Sequence, residues 1–297
     1  MERRGLERHS QPQQRAYTDD VLNGVSGASS IDVWAVGSAT NQTYTRSGLI
    51  EHWDGTQWSL SLTLPGSTQV SQELYGVAAR YSNDAWAVGR GNGPLVEHWN
   101  GANWSNMSFP TSSASAVGDD TIFGVASLAS NNVWVVGGNA AASCAGVLPV
   151  LIAHWDGSKW SVVPNTPEGE LYAIAAVSPN DIWAVGSPVM HWDGKSWSVV
   201  TSPSTSGFLR GVAATASNDV WAVGSSYGAH GEVPVTAHWN GHSWTIAQFT
   251  GAGRADNSLT AVAAVSAGEA WAVGAYDDYP AFQAGEARQA LIEHYLA

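Results

Sequence analysis

Every tryptophan in the chain occupies one of three slots in a motif that is written six times. The first slot holds Trp34, Trp86, Trp134, Trp183, Trp221 and Trp271, each followed by Ala or Val, then Val, then Gly. The second follows a histidine and holds Trp53, Trp99, Trp155, Trp192 and Trp239, with Tyr295 in the sixth copy. Five residues further on come Trp58, Trp104, Trp160, Trp197 and Trp244. Self-similarity at a period of roughly 40 to 50 residues marks a propeller or a solenoid, because one such unit cannot bury its own apolar face.

Composition narrows the function classes. Only 12% of residues are charged, against about 25% in ordinary soluble proteins. The net charge of −13, with twelve Lys and Arg in all, argues against nucleic acid, which needs clustered cations. Cys144 stands alone, so no intrachain disulfide is possible. No run of about 20 apolar residues occurs, which excludes a membrane-spanning helix. The first twenty residues carry no apolar signal stretch, so the sequence as written holds no export address. Low Lys with high Ser, Thr and Trp is the balance of an exported bacterial surface protein, which favours an extracellular or cell-surface location.

The fourth copy is the most compact and shows the local pattern. Leu171–Val177 reads as a strand, Ser178 to Asp181 as a turn and Ile182–Gly186 as a second strand. Met190-His191-Trp192 opens a third strand. Asp193-Gly194 signals a two-residue hairpin, and Trp197–Val200 returns as a fourth. Each repeat is thus a four-stranded meander, with no stretch left for a helix. Gly24, Gly76, Gly124, Ala173, Gly211 and Ala261 share one slot of the first strand. Tiny side chains there let neighbouring backbones approach. Bulk belongs further out, where each buried Trp removes roughly 150 to 250 Å² from water and contributes several kcal/mol before entropy is charged. The expected fold is all-β: a six-bladed β-propeller over residues 22–297, with four-stranded antiparallel blades.

These residues resemble the kelch repeat. The closest correspondence is Val136-Gly137-Gly138 followed by His154-Trp155-Asp156-Gly157-Ser158-Lys159-Trp160. Asp-Gly-x-x-Trp also resembles the Asp-box of sialidase-type propellers. The resemblance implies the fold and carries over no catalytic residue.

The sixth copy stops at His294-Tyr295-Leu296-Ala297, so its blade lacks an outer strand unless the N-terminus closes it. Residues 1–21 read as a tail without a strand pattern. Their codons suggest why. Met1-Glu2 is encoded ATG-GAx, which one base later opens on a Trp codon, and with GC-rich codons the shifted frame continues as a Trp-bearing outer strand. The tail is therefore expected to be a frameshifted remnant of that strand.

Connections fall into two kinds. Turns between first and second strands, and between third and fourth, are uniform. The others vary widely, with four residues between Gly186 and His191 but nineteen between Gly274 and His294. One diversified face on a rigid scaffold is a binding platform. Beside it, the first strands present Asn23, Tyr75, Phe123, Tyr172, Arg210 and Thr260 in one slot. Strand alternation sets these opposite the Leu and Gly or Ala neighbours, at a channel mouth. Arg46 and Arg90, with Tyr276, Asp277, Asp278, Tyr279 and Arg288 of the longest loop, complete the candidate ligand site. Six histidines precede the second-slot aromatic, but belonging to separate blades they read as hydrogen-bonding residues, partnered by the acid of the first turn, and not as metal ligands. Neither a Tyr-Glu nucleophile pair nor a serine elbow can be placed.

The leading reading is a non-catalytic, monomeric binding module without a cofactor, recognising a peptide, a protein segment or a glycan. The alternatives are a glycan-acting hydrolase or lyase on a propeller scaffold and a structural spacer of a larger surface protein.

Overall fold

The computed structural model describes residues 17–64, 70–110, 120–139, 148–203, 207–228, 231–247, 255–277 and 289–296. Within them the chain is all-β, arranged as six antiparallel sheets of three or four strands in consecutive order. The first sheet comprises β1 (Tyr17–Ser29), β2 (Asp32–Asn41), β3 (Arg46–Trp53) and β4 (Trp58–Leu64). The second has β5 (Glu73–Tyr81), β6 (Asp84–Gly91), β7 (Gly93–Trp99) and β8 (Trp104–Asn106). The third has β9 (Asp120–Ala129), β10 (Asn132–Asn139), β11 (Leu151–Trp155) and β12 (Trp160–Val162). The fourth has β13 (Glu170–Ser178), β14 (Asp181–Ser187), β15 (Val189–Trp192) and β16 (Trp197–Val200). The fifth has β17 (Gly207–Ala216), β18 (Asp219–Gly228), β19 (Gly231–Trp239) and β20 (Trp244–Ala247). The sixth stops at three: β21 (Ala255–Ser266), β22 (Glu269–Asp277) and β23 (Gln289–Leu296).

The chain divides into two compact units, Met1–Trp134 with His154–Val162, and Val135–Ala153 with Val163–Ala297. In each, the apolar core lies between consecutive sheets. In the first unit, Trp34, Val36 and Ile50 of one sheet pack against Leu74, Ala85, Ala87 and Leu95 of the next. In the second, Trp183, Val185 and Val189 meet Leu209, Val220, Ala222 and Val235.

Within each unit a motif tryptophan stands at the joint between consecutive sheets. Trp34 lies 5.1 Å from Trp99 and 5.0 Å from Trp104 of the following sheet. Trp86 likewise meets Trp155 and Trp160, and Trp183 meets Trp239 and Trp244. Trp34, Trp86, Trp134, Trp183 and Trp221 are buried, but Trp271 is 44% exposed.

Behind each indole stands its histidine. The Trp34 and His52 rings stack at 4.2 Å, and His52 Nε2 hydrogen-bonds Asp32 Oδ1 at 2.8 Å. The same bond joins His98 to Asp84, His154 to Asn132, His191 to Asp181, His238 to Asp219 and His294 to Glu269. The histidines thus tie the third strand to the first turn, as the sequence leads one to expect.

Two local features depart from the sequence reading. The link between third and fourth strands is a four-residue loop, since Trp192 pairs with Trp197. Asp193 Oδ1 accepts from the N–H groups of Lys195 and Ser196, and Gly194 takes φ +89°. An Asx-type turn therefore replaces the two-residue hairpin. Second, β1 begins at Tyr17, inside the expected 1–21 tail, and its Asp19 and Asp20 pair with Thr40 and Ala39.

Candidate functional site

The motif glycine shapes the loop-bearing end of five of the sheets. A Cβ on Gly89 would lie 1.9 Å from Glu73 O, and one on Gly186 would lie 2.0 Å from Glu170 O. Gly37, Gly224 and Gly274 face the same obstruction from the first strand. The carbonyl sits that close because the first strand bulges. Leu74 pairs with Gly89 and Gly76 with Val88, which leaves Tyr75 as the extra residue. Asn23, Tyr172, Arg210 and Thr260 occupy the same bulge in their own sheets. Regular alternation therefore fails at this slot. The extra residue is turned out of the ladder, which is how bulges re-aim side chains at functional rims.

Directly after the bulge the inner strands converge. A Cβ on Gly24 would meet Tyr75 O at 2.9 Å, and one on Gly76 would meet Phe123 O at 2.8 Å. A Cβ on Gly211 would meet Ala261 Cα at 3.1 Å. This is the close approach that the tiny-residue slot implies, and it packs consecutive bulge residues side by side.

In the first unit the bulge supports a charged cluster. Glu73 is buried, and its Oε2 accepts from Arg46 Nη1 at 2.6 Å while Oε1 accepts from Arg90 Nη2 at 2.6 Å. Tyr75 Oη donates to Glu73 Oε2 at 3.2 Å, and the Tyr75 ring lies 5.3 Å from that of Phe123. Burial pushes the Glu73 carboxyl up, but hydrogen bonds from Arg90 and Arg46 outweigh it and leave the group below its ordinary value. Burial, then the Glu73 charge, raises the Tyr75 phenol to about 12. Asn23 Nδ2 donates to Leu74 O at 2.8 Å, bridging the two sheets.

The second unit repeats the tyrosine with different company. Tyr172 Oη donates to Glu170, the Arg210 guanidinium stands 5.5 Å from the Tyr172 ring centre, and Phe208 meets that ring edge-on at 6.2 Å. Phe208 in turn faces Tyr227, which is 64% exposed. Burial and the hydrogen bond to Glu170 raise the Tyr172 phenol well above its usual range. An aromatic face, a guanidinium and a fixed hydroxyl are groups that orient a polar ligand.

The remaining sequence candidates fall in different surroundings. Thr260 is exposed, with Oγ1 3.3 Å from Val273 O. Tyr276 packs on the cluster of Val223, Leu259, Ala272 and Leu291. Asp277 ends β22 opposite Ala255. Asp278, Tyr279 and Arg288 lie outside the described residues.

Sequence reasoning missed the Tyr-Glu pairs, which the structure places twice. The signal was Glu-Leu-Tyr at residues 73–75 and 170–172. Glu and Tyr stand two residues apart, which strand alternation sets on one face, and the bulge falls at the Tyr. Among the described residues, no three His, Cys, Asp or Glu side chains converge where a metal ion could sit.

No family model matches the chain, and no curated protein matches it in sequence. Solved structures do. YCF48 bound to a D1 peptide is 14% identical, with 97% of each chain covered and a TM-score of 0.51. The SapL1 lectin in complex with alpha methyl fucoside is 12% identical over 95% of this chain and 97% of that one, with a TM-score of 0.51. The GH74 xyloglucanase from Xanthomonas campestris is 12% identical over 85% of this chain, which spans 44% of the enzyme, with a TM-score of 0.53. All three are β-propeller proteins, and likeness at this level of identity shows the fold: repeated antiparallel sheets of the propeller kind.

Proposed function

We propose that the chain is a non-catalytic binding module that takes a peptide, a protein segment or a glycan at the loop-bearing ends of its sheets. The observation that carries this reading is the bulge at Tyr75 and Tyr172. It holds each ring out of the ladder with its hydroxyl tied to a glutamate, beside Phe123 or beside Arg210. Such pre-set groups bind without a large ordering cost. A propeller neighbour with a D1 peptide and another with a fucoside support both ligand classes for this fold. The six sheets are read as blades of one kelch-like, monomeric propeller over residues 22–297, working outside the cell. Arg46, Arg90, Asn23, Thr260 and the Tyr276 to Arg288 loop frame the ligand.

The test is a screen of immobilised glycans and peptides with the purified protein, followed by titration of any hit. Saturable binding by one ligand class supports the reading. Absence of binding across both arrays overturns it.

A second reading, a glycan-acting hydrolase, draws on the Tyr172-Glu170 pair and on the GH74 neighbour. A tyrosine nucleophile needs an accessible phenolate, and the raised Tyr172 phenol opposes that. Release of nitrophenol from aryl glycosides, lost in Tyr172→Phe, would favour the enzyme.

A further inference from the structure

The hydrogen bonds of the Glu73 cluster are unevenly spent. A carboxylate offers about four acceptor sites. Arg46 Nη1 and Tyr75 Oη take those of Glu73 Oε2, while Arg90 Nε and Nη2 take those of Oε1. The acceptor is therefore full. A guanidinium has more N–H donors than these bonds use, and neither Arg46 nor Arg90 bonds a further acceptor among the described residues. The Arg46 and Arg90 side chains are 50% and 40% exposed, whereas that of Glu73 is 4% exposed. What the cluster turns to solvent is thus donors, with two positive charges set against one negative.

That imbalance selects the chemistry of a ligand. A sugar hydroxyl both donates and accepts, so a neutral glycan would leave its own donor unmet against this cluster. Carboxylate and phosphate oxygens only accept, and the guanidinium fork fits both. A densely charged polyanion is opposed by the net charge of −13 on the chain. One oxyanion on an otherwise uncharged segment satisfies both conditions.

Tyr44 is an independent sign, two residues before Arg46 at the entry to β3. It is 88% exposed and holds φ +59°, a conformation uncommon for a bulky residue. Asn41 fixes it there: its Oδ1 accepts from the N–H groups of Thr43 and Thr45, and its O accepts from the Tyr44 N–H at 3.0 Å. A hydrogen-bonded turn therefore displays an aromatic ring to solvent. Backbone conformations of this kind gather at ligand clamps.

We infer that Arg46 and Arg90 bind an oxyanion, a carboxylate or a phosphate, carried on a peptide segment of low charge, with the Tyr44 ring against the residue that flanks it. The inference rests on the reading of the chain as a binding module and names the chemistry of its ligand. Glu73 is the brace: its buried carboxylate holds both guanidiniums in one place and lowers the cost of ordering them on binding. Tyr75, whose hydroxyl engages Glu73 Oε2, is a positioning residue.

The probes are heptapeptide amides Gly-Ser-Phe-X-Phe-Ser-Gly in which X is Asp, phosphoserine or Asn, and the Asn peptide with a free C-terminal carboxylate, each carrying an uncharged BODIPY label. Fluorescence anisotropy against the full chain is expected to show saturable binding below about 1 mM for an oxyanion peptide, and binding at least about tenfold weaker for the Asn amide. The tightest binder names the source of the oxyanion. Arg46→Gln, in which Arg90 still holds Glu73, lowers affinity for that peptide at least about tenfold. Arg46→Lys keeps the charge beside Glu73 without the fork and lowers it less. Tyr44→Ala weakens binding about threefold with an unchanged melting temperature. Equal binding of the Asn amide and the oxyanion peptides, or an Arg46→Gln affinity within about twofold of the parent, overturns the inference. So does binding of glucuronic acid without binding of any peptide, which gives the site to an acidic sugar. If no oxyanion peptide binds while a ligand from the arrays does, this inference fails and the binding-module reading stands; if neither binds, both fail.

Discussion

The indoles of Trp183 and Trp244 meet edge to face, with centroids 5.7 Å apart and planes at 87°. Trp244 belongs to the sheet that follows, so this contact is a joint between repeats. Trp183→Ala removes a buried wedge from that joint and should cost about 3 to 5 kcal/mol. Trp271→Ala, in the slot left open, should cost less than about 2 kcal/mol on the same scale. Urea denaturation of both variants checks the pair, and equal losses would mean that the joint is not where the stability resides.

Gly186→Ala is predicted to destabilise by about 1 to 3 kcal/mol or more, because its Cβ would fall 2.0 Å from the Glu170 carbonyl and the bulge cannot retreat without breaking its ladder. Gly91→Ala, whose nearest neighbour would be a Gln72 side-chain carbon at 3.6 Å, should stay within about 0.5 kcal/mol of the parent. Thermal melts of the two proteins decide the matter.

Asp219 ties a first turn to its surroundings. Burial raises its carboxyl, but hydrogen bonds from Thr215, His238 and the Gly268 N–H outweigh that and depress it. A depressed folded value means that the stabilisation is complete above the unfolded pKa of about 3.9 and is lost as pH falls through the lower folded value. Asp219→Asn should therefore cost about 1 to 3 kcal/mol at neutral pH. Its deficit against the parent should shrink below about pH 4. A deficit that stays constant from pH 7 to pH 3 would show that the charge is not what matters.

Much of this was legible because the repeat is written in rigid residues. Trp197–Val200 was readable to the residue, and the Trp–His ring contact recurs in all six copies. The bulge was not legible, since period-two alternation assumes a regular strand. Yet the glycine after Trp-Ala-Val was its trace: only a residue without a Cβ tolerates a carbonyl so near. The exposure of Trp271 was equally invisible, because burial depends on what packs against a side chain and not on the motif itself. The Glu73 cluster was half legible. Arg46 and Arg90 stood out as loop arginines, but the buried carboxylate between them looked like an ordinary strand residue.

The N-terminus separates two cuts. Removing residues 1–16, which precede β1, should leave the melting temperature unchanged. Removing residues 1–20 should lower it, because Asp19 and Asp20 pair with β2.

The most direct test of the binding reading compares the parent protein with Tyr172→Ala and Arg210→Ala, each titrated with the best ligand from the arrays while its melting is followed. The account predicts at least a tenfold loss of affinity, about 1.4 kcal/mol, with a melting temperature within a few degrees of the parent. Unchanged affinity, or a loss that appears only where the protein has unfolded, would contradict it.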